Sequence, residues 1–278
     1  MTTTRAPEDL ESLEIRLLLE GIYRHYGYDY REYAPASLRR RIWGAVQAEG
    51  LQTVSGLQER VLHDAACMER LLMALSVNVS AMFRDPSFYL AFRRRVVPLL
   101  RTYPSIDIWH AGCSSGEEVY SMAILLEEEG LAGRCRLYAT DVNDAVLRKA
   151  RAGIFPLEFL KDWTNNYLEA GGTRAFSDYY TAGYGSAIFR ASLRDNIVFA
   201  QHNLVTDGAF QQFHVIWCRN VTIYFTRPLQ QRVHGLLYDS LIRLGVLGLG
   251  SQESIDGTPH AAAYEPLAGR EKLYRKVR

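Results

Sequence analysis

Apolar residues recur every three or four positions from Leu10 to about Leu75, as Leu10, Leu13, Leu17, Leu18 and Ile22, then Leu38, Ile42 and Val46, then Leu57, Val61, Leu62 and Met68. That spacing gathers each set on one face of a helix and predicts a bundle of short helices. Tyr26-Gly27-Tyr28 and Glu49-Gly50 interrupt it, and Ser37 is placed to cap a helix, Ser37 to Glu49, that carries Arg39, Arg40 and Arg41. A further helical segment, Ser87 to Arg101, leads into a different rhythm, in which short β-type runs alternate with helical ones. The strands expected are Ile106–Ala111, Arg136–Thr140, Ile197–Ala200, Val215–Cys218, Val246–Leu249 and Leu273–Val277; the helices between them are Glu117–Glu129, Ala145–Ala152 and Leu229–Leu241. Such alternation predicts a parallel sheet wrapped by helices. The glycine- and tyrosine-rich stretch Gly171 to Arg190 reads as a short β-excursion from it.

Length and composition narrow the class. At 278 residues and 48% hydrophobic content there is room for one large α/β domain and a smaller partner. The four cysteines contain no CxxC pair, so neither a disulfide framework nor a zinc or other metal site is expected, and a reducing compartment fits. Acidic residues stand in "MTTTRAPEDLESLE" where a signal peptide needs an apolar run, and no window approaches the roughly 20 uncharged residues of a membrane span. The expectation is a soluble, cytoplasmic protein without membrane insertion. A net charge of +1 gives no ground for a nucleic-acid partner. The charge is uneven, however: Arg31 to Arg41 holds four arginines against Glu32, and Arg84 to Arg101 holds five against Asp85. Such basic segments either steer an acidic partner or form solvated helix faces.

The first expected strand runs into "WHAGCSSGEEVYS", Trp109 to Ser121. A dinucleotide site would place G-x-G-x-x-G here and cradle a pyrophosphate at the helix N-terminus. Gly112 and Gly116 lack that spacing, and the adjoining Glu117 and Glu118 repel phosphate, which disfavours a nicotinamide cofactor. A ligand with a ribose, a positive charge and no phosphate fits better, and S-adenosylmethionine has these features. We assign Glu118 to the site and Glu117 to the helix macrodipole, which favours acids in a first turn by about 0.3–1 kcal/mol. Asp141, at the tip of the second strand, is placed to take ribose hydroxyls or to cap the next helix. Asn203-Leu204 and Arg219-Asn220 end the next two strands, where ligands of open α/β sheets converge; Asn203 could meet an adenine edge and Arg219-Asn220 could merely cap a strand. His110 and His202 read as packing or adenine-side residues.

Taken in order, "NVSAMFRD" (Asn78 to Asp85), "AGCSSGEEVYS", "ATDVN", "HNL" and "CRNVTIYF" resemble the CheR family, the chemoreceptor protein-glutamate O-methyltransferases, over nearly the whole chain. The resemblance implies a Rossmann-like α/β S-adenosylmethionine-dependent methyltransferase sheet with a small β-subdomain, preceded by an all-α N-terminal domain. The corresponding boundaries are 1–82 for the helical domain, 83–104 for a linker helix, and 105–278 for the methyltransferase domain with its β-subdomain at about 167–192. By matching position it implies cofactor contacts at Asn78, Ser80, Arg84, Glu118, Asp141, Asn203, Leu204, Arg219 and Asn220, and a methyl-transfer centre at Arg84 and Tyr224. Ser80 stands where the family has threonine and Met82 where it has phenylalanine; a hydroxyl and an apolar side chain survive. The implied reaction moves a methyl from S-adenosylmethionine to receptor glutamates, giving methyl esters and S-adenosylhomocysteine, with the receptor meeting the basic N-terminal helix. A methyltransferase of another substrate and a non-catalytic cofactor- or receptor-binding module are the alternatives.

Overall fold

The structure, a computed structural model, describes residues 9–76 and 80–278. They form two compact units, one made of residues 9–76 with 224–229, the other of residues 80–223 with 230–278. Among the described residues no helix is long and apolar enough to cross a membrane.

The first unit is a bundle of α1 (Leu10–Tyr26), α2 (Pro35–Ala48), α3 (Val54–His63) and α4 (Ala65–Leu75). Its core is Leu18, Leu19, Ile22, Ile42, Val46, Leu57, Val61, Met68 and Leu71. Leu10 and Leu17, part of the expected apolar set, point to solvent, so the buried stripe of α1 is narrower than the periodicity suggests. Helix α1 stops at Gly27, whose φ of 80° only glycine adopts without strain. Thr53 caps α3 by accepting from the Gly56 amide at 3.0 Å, and Asp64 caps α4 by accepting from Ala66 at 2.9 Å. Ser37 is not a cap: α2 opens two residues earlier on Pro35, whose fixed φ and missing N–H suit a first turn. Residues 224–229 join this unit through an isolated bridge of Tyr33 with Phe225 and a 2.8 Å bond from the Ala34 amide to the Tyr224 carbonyl.

The second unit opens with α5 (Pro86–Arg95) and α6 (Val97–Leu100), one helical stretch broken around Val96. A seven-stranded sheet follows: β1 (Ile106–Ala111), β2 (Cys135–Asp141), β6 (Ile197–Gln201), β7 (Phe213–Cys218), β8 (Leu241–Leu249), β9 (Tyr264–Pro266) and β10 (Leu273–Lys276), in spatial order β6-β2-β1-β7-β8-β10-β9. Helices α7 (Glu117–Glu128), α8 (Asp144–Ala152) and α10 (Arg227–Asp239) supply the crossovers. The first five strands in that order are parallel, but β10 runs antiparallel to both neighbours. A parallel return needs a crossover, usually a helix, and residues 250–272 form turns, a single 3-10 turn at Ala261–Ala263 and β9, with no α-helix. The strand order reverses between β1 and β7, the switch point at which such sheets bind ligands.

Trp217 anchors the core beneath that point, with the rings of Phe88, Tyr89 and Phe92 packed edge-on at 5.0, 5.2 and 5.1 Å. The β-excursion is a separate sheet, β3-β5-β4, from β3 (Ile154–Pro156), β4 (Tyr180–Gly183) and β5 (Ser186–Phe189), with α9 (Leu160–Glu169) beside it in the chain. Its chain is tied to the far end of α7. Buried Glu128 accepts from the Tyr167 hydroxyl at 2.5 Å, the Thr173 amide at 2.9 Å and the Tyr179 hydroxyl at 3.1 Å, and pairs with Arg93.

Candidate active site

The turn after β1 is built by short-range necessity. The amides of Gly112 and Cys113 both donate to the Thr140 carbonyl at 2.8 Å, which folds the chain back over the end of β2. Gly112 sits at φ 79°, and a Cβ there would come within 2.6 Å of Val221 after β7; Gly116 sits at φ 98°, where a Cβ would come within 2.9 Å of Ala150 of α8. Neither position admits a side chain. The Asp141 carboxylate completes the turn, accepting from Ser114 N at 2.9 Å and Asn143 N at 3.0 Å. Burial lifts its carboxyl above the usual aspartate value, and the backbone donors only partly offset this. Asn143, not Asp141, caps α8, by accepting from Ala145 N at 2.9 Å.

Glu118, in the first turn of α7, lies in a partly buried charge network centred on buried Arg219. Its Oε2 accepts from Arg219 at 3.2 Å, and Arg219 also donates to Asp85 at 2.8 Å and to the Arg84 carbonyl at 3.2 Å. The guanidinium lies 4.1 Å from the Phe88 ring centroid, so its flat face is held by an aromatic surface and its edge by carboxylates. Glu118 Oε1 lies 2.9 Å from Nδ1 of His110, a residue of β1 with no solvent exposure. Burial disfavours charge on Glu118, but the His110 bond and the Arg219 charge outweigh it and hold the carboxyl below its ordinary value. Glu117 behaves oppositely: it is buried, and desolvation raises it despite the Ser115 hydroxyl 2.8 Å away.

A second carboxylate shapes the strand end that carries Arg219. Glu253, 4% exposed, accepts from the amides of Asn220, Val221, Thr222 and Gly250 at 2.8, 2.9, 2.8 and 2.6 Å and from the Thr222 hydroxyl at 2.8 Å. It holds Asn220 at φ 60°. Phe83, Asp85, Ser114 and Asn220 are four of the six non-glycine residues with positive φ among the described residues, and all four lie in the segments around this switch point. Strain of this kind, about 1–3 kcal/mol per residue, concentrates where a fold must present groups to a ligand.

The donor set suits a ligand rich in hydroxyls and bearing a positive charge. Two carboxylates, Glu118 and Asp141, stand at the ends of β1 and β2, and the Ser114 hydroxyl and Arg219 Nε are buried without a partner among the described residues. The model of the CheR methyltransferase S-adenosylmethionine-binding domain matches residues 78–268, and that of the CheR methyltransferase all-alpha domain matches residues 13–76. The chain belongs to the CheR methyltransferase family. A Pseudomonas putida protein bearing the name methyltransferase Cher3 is 52% identical over 95% of this chain and 97% of its own. A chemotaxis protein methyltransferase of Listeria innocua is 29% identical over 84% of this chain and 87% of its own. Likeness to solved structures is remote: N-methyltransferase NodS of Bradyrhizobium japonicum, in complex with S-adenosylhomocysteine, shares 14% identity at a TM-score of 0.34, across 61% of this chain and 62% of that one. As a CheR protein the chain is an S-adenosylmethionine-dependent methyltransferase, with the mixed α/β sheet and all-α N-terminal domain of that class.

The structure gathers some expected site residues and not others. Glu118, Arg219 and the Arg84 backbone meet in one network; Asp141 closes the adjoining turn, and Asn220 follows Arg219 directly. Asn203 spends its Oδ1 on the Val205 amide at 3.0 Å, so its acceptor shapes its own turn, with Leu204 buried beside it. Ser80 contributes its hydroxyl to Glu117. Tyr224 belongs to the helical unit, where its ring lies 5.2 Å from the Arg41 guanidinium. Asn78 lies outside the described residues. His202 packs against Trp109 and Phe210, as a packing residue would. Sequence reasoning missed Asp85, Glu253 and the link between His110 and Glu118. For Asp85 a signal existed, since it directly follows Arg84 in a quoted motif.

Proposed function

We propose that this CheR protein methylates glutamate side chains of a chemoreceptor-type protein in the cytoplasm. When bound, S-adenosylmethionine supplies an electrophilic methyl group on a sulfonium. Glu118 and Asp141 are the residues we assign to the amino-acid and ribose ends of that molecule, with Asn78, Ser80, Asn203, Leu204, Arg219 and Asn220 completing its surround. Arg84 is assigned to orient the acceptor carboxylate, and Tyr224 to donate a hydrogen bond to it. A glutamate acceptor has an ordinary pKa of about 4.3 and is ionised at neutral pH, so no side chain has to remove a proton. Its oxygen forms the new bond to the methyl carbon while the carbon–sulfur bond breaks and its electron pair stays on sulfur, leaving a methyl ester and a neutral thioether. The chain's work is then to align the reactants and exclude water.

One observation carries this reading. The carboxyl of Glu118 is held below its ordinary pKa by His110 and Arg219 at the switch point, in a chain 29% identical to a chemotaxis protein methyltransferase. On the helical unit, the arginines of α2 divide their tasks. Arg39 is bound to Glu11 at 2.5–2.7 Å and Arg41 donates to the Leu75 carbonyl at 2.6 Å, whereas Arg40 makes no ion pair among the described residues. We assign Arg40 to the acidic receptor surface. The test is incubation with methyl-labelled S-adenosylmethionine and receptor-rich membranes, followed by alkali. Base-labile label on glutamate is expected; alkali-stable label on nitrogen would overturn the substrate class.

A further inference from the structure

His110 is an unusual tenant for its position. It occupies the central strand of the sheet, paired in register with Ala139 of β2 and Trp217 of β7, and is fully buried. A side chain placed there only to fill space would need no polar atom. Its Nε2 has no partner among the described residues, and the ring packs edge-on against Trp217 at 5.3 Å. Its one hydrogen bond is from Nδ1 to Glu118 Oε1, eight residues along the chain. Because an ionised carboxylate only accepts, Nδ1 is the donor of this bond.

We infer that His110 is a positioning residue that sets the rotamer of the cofactor carboxylate Glu118. The inference rests on the reading of Glu118 as a ligand of S-adenosylmethionine. Glu118 is held from two sides: one oxygen by Arg219, the other by Nδ1 of His110. An Arg guanidinium prefers a bidentate grip on a carboxylate, which would turn both oxygens of Glu118 toward Arg219 and occupy the lone pairs a ligand needs. Arg219 makes only one bond to Glu118, with its second arm on Asp85. By holding Oε1, His110 keeps the pair end-on and leaves two of the four lone-pair positions of the carboxylate open. Deleting that bond lets Glu118 close onto Arg219, and affinity for the cofactor falls although no residue in contact with it has changed.

The test is calorimetric titration of the full chain with S-adenosylhomocysteine, together with kcat and KM at saturating acceptor. His110→Leu, which removes both nitrogens, is expected to raise the Kd about tenfold or more, the scale of a lost hydrogen bond to a charged group, with kcat at saturating cofactor held within about threefold. His110→Asn puts an amide N–H where Nδ1 stood and is expected to bind like the parent; His110→Gln, one methylene longer, is expected to bind like the leucine variant. In Glu118→Gln the replacement at His110 should add no further loss, because the two residues act as one unit. A folded His110→Leu protein with parental Kd overturns the inference. If that variant does not fold, equal affinity of the Asn and Gln variants overturns it. A parental Kd in Glu118→Gln alone overturns the reading of Glu118 itself, which is a separate failure.

Discussion

The carboxylate of Glu253 receives the backbone amide of Asn220 at 2.8 Å from across 33 residues of chain, and four further donors crowd the same two oxygens. A side-chain anion is thereby the template on which the strand end carrying Arg219 is cast. Glu253→Gln keeps the shape but turns an amide N–H₂ toward backbone N–H groups, leaving at least two buried donors unpaired. The expected cost is about 2–4 kcal/mol in a urea unfolding series, with weakened binding of S-adenosylhomocysteine. An unchanged midpoint and Kd would show that the loop holds its form without the charge.

His234, on α10, gives the fold an acid-sensitive element. Burial pushes its pKa down from 6.5 to about 4, so between those values the unfolded chain takes up a proton that the folded chain refuses. Stability is full above pH 6.5, falls as pH drops, and has lost about 3 kcal/mol once pH reaches 4. His234→Gln should flatten that part of a stability–pH profile, measured by thermal unfolding across pH 7 to 4.

Catalysis should follow a different curve. With an acceptor already ionised, kcat is expected to hold level from pH 8 to pH 6. A steep decline with an apparent pKa near 7 would require a histidine base and contradict the proposed scheme. If Asp141 takes the ribose hydroxyls as proposed, cofactor affinity should fail in more acidic solution, and earlier than for an ordinary aspartate, because burial raises its carboxyl above the usual value.

The three arginines of α2 are expected to separate on charge reversal. Arg40→Glu should raise the KM for receptor about three- to tenfold without altering cofactor Kd, since it removes an exposed attractive charge. Arg41→Glu should instead lower the melting temperature, because its bond to the Leu75 carbonyl ties α2 to the end of α4. Equal losses of receptor and cofactor binding in Arg40→Glu would assign that residue to folding alone.

Much of this was legible before any coordinates. Strand β1 and the acidic helix after it declare themselves because a short β-type run gives way at a glycine turn to a helical segment, and the structure places β1 at Ile106–Ala111 as expected. The sequence marks strand β8 only from Val246, whereas it begins at Leu241; Leu244 at φ 69° and an irregular register with β7 hide its first half. Helix α9 carried a signal in Leu160, Trp163 and Tyr167, all buried on one face, but Thr164, Asn165 and Asn166 favour turns and mask it. Glu253 could not have been found, because in "GSQESIDG" it resembles any solvated loop acid until tertiary structure brings five donors to it. His110 is buried against Trp217, as a packing residue of β1 would be, and its bond to Glu118 is hidden in the sequence because the partner stands in the first turn of the next helix.

Helix α7 is pinned by an acid at each end, Glu118 by His110 and Arg219, Glu128 by Arg93 and the tyrosines beside the small sheet. Twelve residues of helix span about 18 Å and bend little. One helix thus joins the chain flanking the small sheet to the carboxylate at the end of β1. Removing the small sheet together with its flanking chain is expected to free the Glu128 end of that helix.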